Sequence, residues 1–478
     1  MRWLIAVLVG LVSVGAIPAQ ASRYELAVRL TQFEKAWDAR NSAIAHTRAL
    51  KNLPDVTGQF FSLQLGKAGR TLDEARFALE EKAPAEELRH ATSLYPDVGT
   101  RWIDADGPAV NIKVQPFYDS GVDEPKELTV TLQLGAAAKV CGAITRKPIT
   151  LSVPLPKLTK PPVQDVVLRY TVSDGETVLV ERTVLCALSR KPAVLAQEIQ
   201  AEVKNFKAPR SVELATLKLH AEFLTDMAAG TVPESDRSIH DSHAIVPKLR
   251  ASFQADKPYF TSELTGDHWL AIPTKDAATP CRWWVPKNAT LPTPLVVAIH
   301  GAGGSENMFF EGYGDGQIRK LCEQRGWFLL APRAGLGFAG SLLPVAEMID
   351  VLAKRYPIDP KRVYLVGHSM GGTISINLVQ KHPQTFAAVA VLGGGGTVRR
   401  ATGDAFATLP TFLGVGERDF ALKSTKQLQA AIEAVKPAKL TAKIYPGLEH
   451  LSIVREALPD VFELFDVTKP TPEKEFRR

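Results

Sequence analysis

Residues 362–379 read RVYLVGHSMGGTISINLV, and this stretch decides the fold of the C-terminal part of the chain. Its first five residues form an apolar run typical of a buried strand, and its last seven have the pattern of a helix. Between them lies a Gly-x-Ser-x-Gly turn, in which side chains at Gly367 and Gly371 would collide with neighbouring backbone. Such a turn holds serine in a strained conformation above the sheet, beside a helix N-terminus. The sequence therefore predicts Ser369 as a nucleophile.

A second glycine-rich turn follows an earlier strand. Residues 295–299 are apolar and run into His300-Gly301-Ala302-Gly303-Gly304, named the oxyanion turn below. A serine that attacks a carbonyl needs N–H donors aimed at the oxyanion that forms. We expect one donor from Met370, the residue after the nucleophile, and another from Ala302, with Gly303 as the second choice. His300 itself is expected to brace the turn.

The general base is found by eliminating nine of the ten histidines. Five precede the C-terminal domain, and two more precede the serine turn. His368 lies within that turn and is expected to point away from the serine hydroxyl, while His382 lies near the end of the following helix. His450 remains, after a strand at 442–445, and it occupies the last place in the chain order serine, acid, histidine that accompanies such a turn.

Two carboxylates compete for the acid that orients this histidine. Residues 411–416 are predicted to form a strand, and Glu417-Arg418-Asp419 follows it directly. Asp419 fits better, because two further residues are needed for the side chain to curl back toward the histidine loop, and Glu417 stays as the alternative. Asp404 and Glu449 fit less well, since neither comes just after a strand. The acid would fix the tautomer of His450 and stabilise its charged form.

Residues 358–372, IDPKRVYLVGHSMGG, with Pro383 and Phe386-Ala387-Ala388 after them, resemble the carboxylesterase and prolyl-oligopeptidase-like branch of the α/β-hydrolases. That branch includes bacterial phospholipase/carboxylesterase proteins, feruloyl-esterase-like enzymes and the dienelactone hydrolase group. Residues 325–333, RGWFLLAPR, resemble its fourth core strand. The resemblance implies a mostly parallel sheet with helices on both faces and a serine triad that acts on esters. Many relatives have a glycine near the histidine, whereas Glu449 and Leu451 flank it here.

The length of the 478-residue chain and its local hydrophobic patterns indicate several domains. The fold class is α/β, with an α/β-hydrolase catalytic domain preceded by a helical segment and a small antiparallel β-sandwich-like domain. The predicted boundaries are a signal peptide at 1–21, a helical segment at 22–100, the β-sandwich-like accessory domain at 101–190, a helical connector at 191–255, the catalytic domain at 256–467 and a flexible tail at 468–478.

The first residues indicate export. Arg2 precedes an apolar run that is too short to span a bilayer, and Ala19-Gln20-Ala21 suits cleavage after Ala21. An uncleaved anchor is the alternative, and no later segment is apolar enough to span a membrane. We therefore expect a periplasmic or secreted protein. A net charge of +6, with basic residues spread along the chain, argues against nucleic acid as a partner.

The four cysteines are too few for a disulfide scaffold and lack the CxxC spacing of zinc sites. Because export permits disulfides, Cys141 with Cys186 and Cys281 with Cys322 are candidate pairs, and buried free thiols are the alternative. The sequence gives no sign of a metal or organic cofactor. It does not determine an oligomeric state.

The leading hypothesis is an exported serine hydrolase that acts on a small or polymer-linked carboxylic ester through an acyl-enzyme. Phe309, Phe310 and Tyr313 follow the oxyanion turn and are candidates to bind substrate, with core packing as their alternative role. A prolyl-oligopeptidase-like serine peptidase is a second hypothesis, but no repeated propeller blades are visible. A non-catalytic binding protein with a degenerate hydrolase domain is a third hypothesis.

Overall fold

The computed structural model describes residues 17–53, 56–160, 162–206, 211–287, 289, 291–335, 343–402 and 404–468, with side chains from residue 23 onward. The predicted signal peptide lies outside these residues except for 17–21, and the predicted tail lies outside them except for Thr468.

Helices open the described chain and form a small bundle. Leu30, Phe33 and Trp37 bury one face of the first helix, as their helical spacing predicts, against Leu72 and Ala75 of the fourth. The helices are α1 (Ile17–Ala39), α2 (Ala43–Lys51), α3 (Val56–Phe61), α4 (Leu65–Phe77) and α5 (Glu86–Ser93). We call the first four of them, from residue 23 to residue 77, the cap, because of the position described below.

Strands follow and form two sheets around a shared core. They are β1 (Leu94–Asp97), β2 (Trp102–Asp104), β3 (Ala109–Pro116), β4 (Leu128–Leu134), β5 (Val140–Ile144), β6 (Ile149–Pro154), β7 (Val163–Asp174) and β8 (Thr177–Ser189). In β4, every second residue from Leu128 to Leu134 is buried, as alternation predicts. The sheet orders are β1-β3-β6 and β2-β8-β7-β4-β5. The sequence predicted an antiparallel domain. The β2–β8 pair is parallel, so that prediction is wrong for this pair.

The connector contains α6 (Pro192–Lys204), α7 (Val212–Ala228) and α8 (Ile239–Gln254). Ser211 and Ser238 cap the second and third of these helices, with their hydroxyls accepting N–H groups of Leu214 and Asp241. α7 packs on the edge of the C-terminal sheet, where Thr216 Oγ1 accepts the Ala271 N–H at 3.0 Å. The connector is therefore joined directly to the C-terminal domain.

The C-terminal domain alternates strands and helices. Its elements are β9 (Gly266–Pro273), β10 (Ala278–Val285), β11 (Thr293–Ile299), a π-helical turn (Met308–Gly312), α9 (Gln317–Arg325), β12 (Phe328–Pro332), α10 (Val345–Ala353), β13 (Ile358–His368), α11 (Met370–Lys381), β14 (Ala388–Leu392), α12 (Ala405–Thr408), β15 (Thr411–Gly416), α13 (Leu422–Glu433), β16 (Leu440–Tyr445) and α14 (Ile453–Val467).

These strands form one sheet in the order β16-β15-β14-β13-β11-β12-β10-β9. The pairs from β16 to β12 are parallel, and β10 pairs antiparallel with both of its neighbours. Leu295, Val297 and Ile299 face one apolar core, and Val296 and Ala298 face another. Both faces are therefore covered, and the carboxyl ends of β11 and β13 bring the two glycine turns to the same edge.

All four cysteines lie among the described residues and are free thiols, so the candidate disulfide pairs are wrong. Cys281 and Cys322 belong to the cores on opposite faces of the sheet. Cys186 is buried inside the β domain, whereas Cys141 is exposed on β5. Burial raises the pKa of the Cys186 thiol to about 12, so this thiol stays protonated at neutral pH.

No helix in the described ranges combines the length and the hydropathy that a membrane crossing requires.

Candidate active site

Ser369 lies between β13 and α11 in the strained conformation that the glycine pattern predicts. Its φ is 55° and its ψ is −119°, which is unfavourable for a residue with a Cβ. A Cβ on Gly367 would lie 2.2 Å from the Gly371 carbonyl oxygen, and one on Gly371 would lie 2.0 Å from that of Ile299. Only glycine fits at these two positions, and the serine hydroxyl is presented at the edge of the sheet.

His450 and Asp419 contact each other directly. His450 Nδ1 lies 2.8 Å from Asp419 Oδ1, which also accepts the Ala421 N–H at 2.7 Å. Both side chains are buried, and His450 Nε2 has no hydrogen-bond partner among the described residues. Because the carboxylate accepts at Nδ1, the neutral imidazole carries its proton there and leaves Nε2 able to take another. His450 and Ser369 both line the cavity described below.

The other candidate acids make different contacts. Glu417 Oε2 accepts the Gly447 N–H at 2.9 Å. Glu449 is buried, and its Oε1 accepts the N–H groups of Leu451 and Ser452, each at 2.8 Å. Glu449 therefore shapes the loop around the histidine. Asp404 is exposed and immediately precedes α12.

The oxyanion turn faces the same cavity. Residues 301–304 line it, and a Cβ on Gly301 would lie 3.1 Å from the Ser369 Cβ. Met370 is the first residue of α11, where N–H groups have no partner within the helix. His300 Nε2 accepts the Ala334 N–H at 3.0 Å, and burial lowers the His300 pKa. His300 is therefore a neutral brace between two loops, and the turn presents backbone to the cavity.

His368 and Tyr313 form a buried pair, hydrogen-bonded to each other and to the His450 backbone, that the sequence did not predict. His368 Nε2 lies 2.9 Å from the His450 carbonyl oxygen, and its Nδ1 lies 2.7 Å from the Tyr313 hydroxyl. Burial first, and the nearby titratable imidazole of His450 second, lower the His368 pKa well below its usual range. The neutral ring therefore donates from Nε2 to His450 and accepts from Tyr313 at Nδ1. This pair fixes the backbone of His450.

The three aromatic residues after the turn have different positions. Phe310 and Tyr313 line the cavity, whereas Phe309 packs in the core against Tyr313, with ring centroids 4.9 Å apart. The Arg282 guanidinium lies over the Phe310 ring, 4.8 Å from its centroid. Phe309 therefore has the core-packing position that was its alternative role, since it points from the π-helical turn into the core that covers the sheet.

The cap forms one wall of the cavity, which sequence reasoning also missed. The cavity has a volume of about 680 Å³, and α1 and α3 contribute apolar side chains to it, including Leu26, Leu30, Val56 and Phe60. Met308, Phe310 and Leu451 lie on the side of the C-terminal domain. The space beside Ser369 is therefore mainly apolar and is shared by two parts of the chain.

Buried ion pairs fix the cap on the C-terminal domain. Arg455 Nη1 lies 2.5 Å from Glu34 Oε2 and also donates to the Glu34 carbonyl oxygen at 3.0 Å. The same guanidinium contacts Asp38. Thr57 Oγ1 donates to Glu449 Oε2 at 3.4 Å, next to His450.

No group of three or more His, Cys, Asp or Glu side chains in the described part of the chain is arranged to hold a metal ion.

The comparisons with known proteins concern this domain. A model of the alpha/beta hydrolase fold family matches residues 294–423, which include the oxyanion turn, the serine turn and Asp419. Among solved structures, a feruloyl esterase module from Clostridium thermocellum complexed with sinapinate has a TM-score of 0.38 and 13% identity, covering 46% of this chain and 96% of that one.

Curated relatives match a shorter stretch. Feruloyl esterase B of Thermothelomyces thermophilus is 27% identical over 126 residues, covering 23% of this chain and 42% of that protein. A bifunctional acetylxylan esterase/xylanase of Neocallimastix patriciarum is 29% identical over 118 residues, covering 23% and 17%. The poly(3-hydroxyalkanoate) depolymerase C of Paucimonas lemoignei is 29% identical over 126 residues, covering 23% and 30%. The chain thus spans less than half of the length of these relatives.

Proposed function

We propose that the protein is an exported serine hydrolase that cleaves carboxylic esters through an acyl-enzyme. Ser369 is the nucleophile, His450 the general base and Asp419 the acid that orients it. The observation that carries the proposal is the convergence of Ser369, His450 and the oxyanion turn on one cavity, with Asp419 bonded to the far nitrogen of the imidazole.

The first chemical step follows from these contacts. Ser369 Oγ attacks the ester carbonyl while His450 Nε2 takes its proton, and Asp419 stabilises the imidazolium that results. N–H groups of Met370 and of Ala302 or Gly303 bind the oxyanion of the tetrahedral intermediate. When the intermediate collapses, His450 returns the proton to the leaving alkoxide, and the acyl group stays on Ser369. Water activated by the same histidine then releases the acid and regenerates the serine.

Two observations favour an ester as the substrate. Two of the relatives above are named as esterases, one a feruloyl esterase and the other a bifunctional acetylxylan esterase/xylanase. The mainly apolar cavity suits an uncharged acyl group of modest size. The signal-like sequence at 1–21 supports export.

The test is the hydrolysis of p-nitrophenyl acetate and butyrate by the wild type and by Ser369→Ala, together with labelling by a fluorophosphonate probe. We expect Ser369→Ala to lose at least about 10³-fold in kcat and to lose labelling, because the acyl-enzyme cannot form. Ser424→Ala is the matched control, since that hydroxyl donates only to the Ala421 carbonyl oxygen. Unchanged hydrolysis by Ser369→Ala would refute the triad, and faster cleavage of peptide anilides than of esters would favour a peptidase.

A further inference from the structure

We propose that two residues of the cap, Arg23 and Phe60, are positioning residues that hold the oxyanion turn in its catalytic conformation. This inference rests on the proposed function, because an oxyanion turn has a role only if Ser369 attacks a carbonyl.

Arg23 and Phe60 contact the turn at the same residue. Arg23 Nη2 donates a hydrogen bond to the Gly303 carbonyl oxygen, across a separation of 280 residues in the sequence. The Phe60 ring lies against Gly303, since a Cβ built there would be 2.7 Å from Phe60 Cε1. The Arg23 guanidinium also lies 5.8 Å from the Phe60 ring centroid. The two cap residues therefore close on Gly303 together.

These contacts fix the orientation of one peptide group. The Gly303–Gly304 peptide is held at both ends, because its oxygen accepts from Arg23 and its N–H donates to the Gly301 carbonyl oxygen at 3.2 Å. Neither the Ala302 N–H nor the Gly303 N–H donates to an acceptor among the described residues. Because the Gly303–Gly304 peptide is held in place, the Ala302 and Gly303 N–H groups remain free to bind the oxyanion.

The turn needs such a constraint from outside. Three of its five residues are glycine, and Gly303 has a φ of +76°. The backbone of the turn therefore has more conformational freedom than a turn of the same length without glycine. Oxyanion donors stabilise the transition state only if they are already aimed before the charge develops. The cap therefore lowers the barrier without touching the reacting atoms.

A second anchor acts at the end of the turn. The Ser305 hydroxyl donates to Glu234, which lies between α7 and α8. Burial raises the Glu234 pKa, and the charge of Arg23 opposes that rise, so these two side chains are close enough to influence each other. The predicted cleavage after Ala21 keeps Arg23 in the exported chain.

The test compares Arg23→Ala, Arg23→Lys and Phe60→Ala in the full chain with a p-nitrophenyl ester. Arg23→Ala should lower kcat by about 10- to 100-fold, less than the loss of an oxyanion donor itself, with KM changed by less than about threefold. Affinity for a trifluoromethyl ketone, which forms a tetrahedral adduct with serine, should fall by a similar factor. Arg23→Lys should recover part of kcat, because lysine can still donate to the Gly303 oxygen.

Arg40→Ala is the matched control. It removes an exposed arginine just after α1 whose partner is Glu80, an exposed residue that follows α4, so kcat should stay within about twofold of the wild type. In the double variant Arg23→Ala/Phe60→Ala, the loss in kcat should be smaller than the product of the single losses, because both residues act on one peptide. Thermal unfolding of each variant shows whether it is folded at the assay temperature.

Two results would overturn the inference. One is a kcat of Arg23→Ala equal to that of Arg40→Ala. The other is a loss confined to KM, which would make Arg23 a substrate-binding residue. Failure of the proposed function is distinguishable, since the wild type would then neither hydrolyse esters nor be labelled at Ser369.

Discussion

Asp419 and Glu417 follow β15 two residues apart and bind different partners. Asp419 accepts from His450, whereas Glu417 accepts from the Gly447 N–H. We predict that Asp419→Asn lowers kcat for a p-nitrophenyl ester by about 10⁴-fold, because an amide can donate to Nδ1 and so favours the wrong tautomer of His450. The protein should stay folded, since asparagine has nearly the same shape.

Glu417→Gln is the matched control, because it makes the same chemical change two residues away. It should keep kcat within about twofold of the wild type, since the amide oxygen can still accept the Gly447 N–H. A larger loss in Glu417→Gln than in Asp419→Asn would exchange the roles of the two carboxylates.

Single residues also show what the sequence can and cannot predict. The contact of Asp419 with His450 followed from chain order and from distance beyond a strand end, which are local features. The contacts of His368 with Tyr313 and His450 did not follow, because a histidine in the serine turn has no local pattern that reveals its partners 55 and 82 residues away. They require the sheet order, which only the fold provides.

At the scale of elements, the turn between β13 and α11 depends on close backbone approach. Gly371 occupies the first turn of α11, where alanine would ordinarily stabilise a helix by up to about 1 kcal/mol. Here the added Cβ would lie 2.0 Å from the Ile299 carbonyl oxygen, a backbone atom that cannot move aside without shifting β11. We predict that Gly371→Ala destabilises the domain and lowers kcat/KM by at least about 100-fold, measured by thermal unfolding and ester hydrolysis.

Gly107→Ala is the control for this change. A Cβ there would meet the Asp104 carbonyl oxygen at 3.6 Å, an ordinary contact distance. Its melting temperature and kcat/KM should match those of the wild type. A Gly371→Ala variant that kept wild-type activity would mean that β11 and α11 are not as closely packed as described.

Hydrophobic periodicity predicted the buried faces of helices and strands, but it did not predict what those faces pack against. Alternation identified the buried face of β4, and helical spacing identified that of α1. The cavity wall formed by α1 and α3 was not predicted, because an apolar face shows that a helix packs against something but not against what. The buried charges on α1 were not predicted either, and Glu25 and Arg29 pair with each other, with Arg182 of β8 and with Asp73 of α4.

At the scale of the molecule, modules dock on the C-terminal domain through buried ion pairs. Arg455 joins the cap through Glu34, and Arg355 joins the connector through Glu213. Burial raises the pKa of Glu34 to about 7 despite the opposing charge of Arg455, whereas Arg355 lowers the pKa of Glu213. Both pairs therefore contribute contacts between the C-terminal domain and the segments that precede it.

The connector pair makes stability depend on pH. Arg355 donates to Glu213 Oε1 at 2.5 Å and to Oε2 at 3.0 Å, and the Tyr259 N–H donates to Oε1 at 3.0 Å. Burial alone would raise the Glu213 pKa, but the hydrogen bonds and charge of Arg355 outweigh it and lower the pKa. The unfolded chain therefore binds this proton more readily than the folded one. The resulting stability is present above the unfolded pKa of 4.5 and is lost as the pH falls through the folded pKa.

We predict that Glu213→Gln is less stable than the wild type at pH 7 and that the difference shrinks as the pH falls below 4.5, where the wild-type carboxylate becomes protonated and resembles the amide. Urea unfolding of both proteins at pH 7, 5 and 3.5 measures this difference in the free energy of unfolding. The pH dependence that comes from their shared carboxylates cancels in the difference. Glu198→Gln, on the exposed face of α6, serves as the control and should run parallel to the wild type. A gap between Glu213→Gln and the wild type that stays constant from pH 7 to 3.5 would show that the carboxylate charge is not what fixes the connector to the domain.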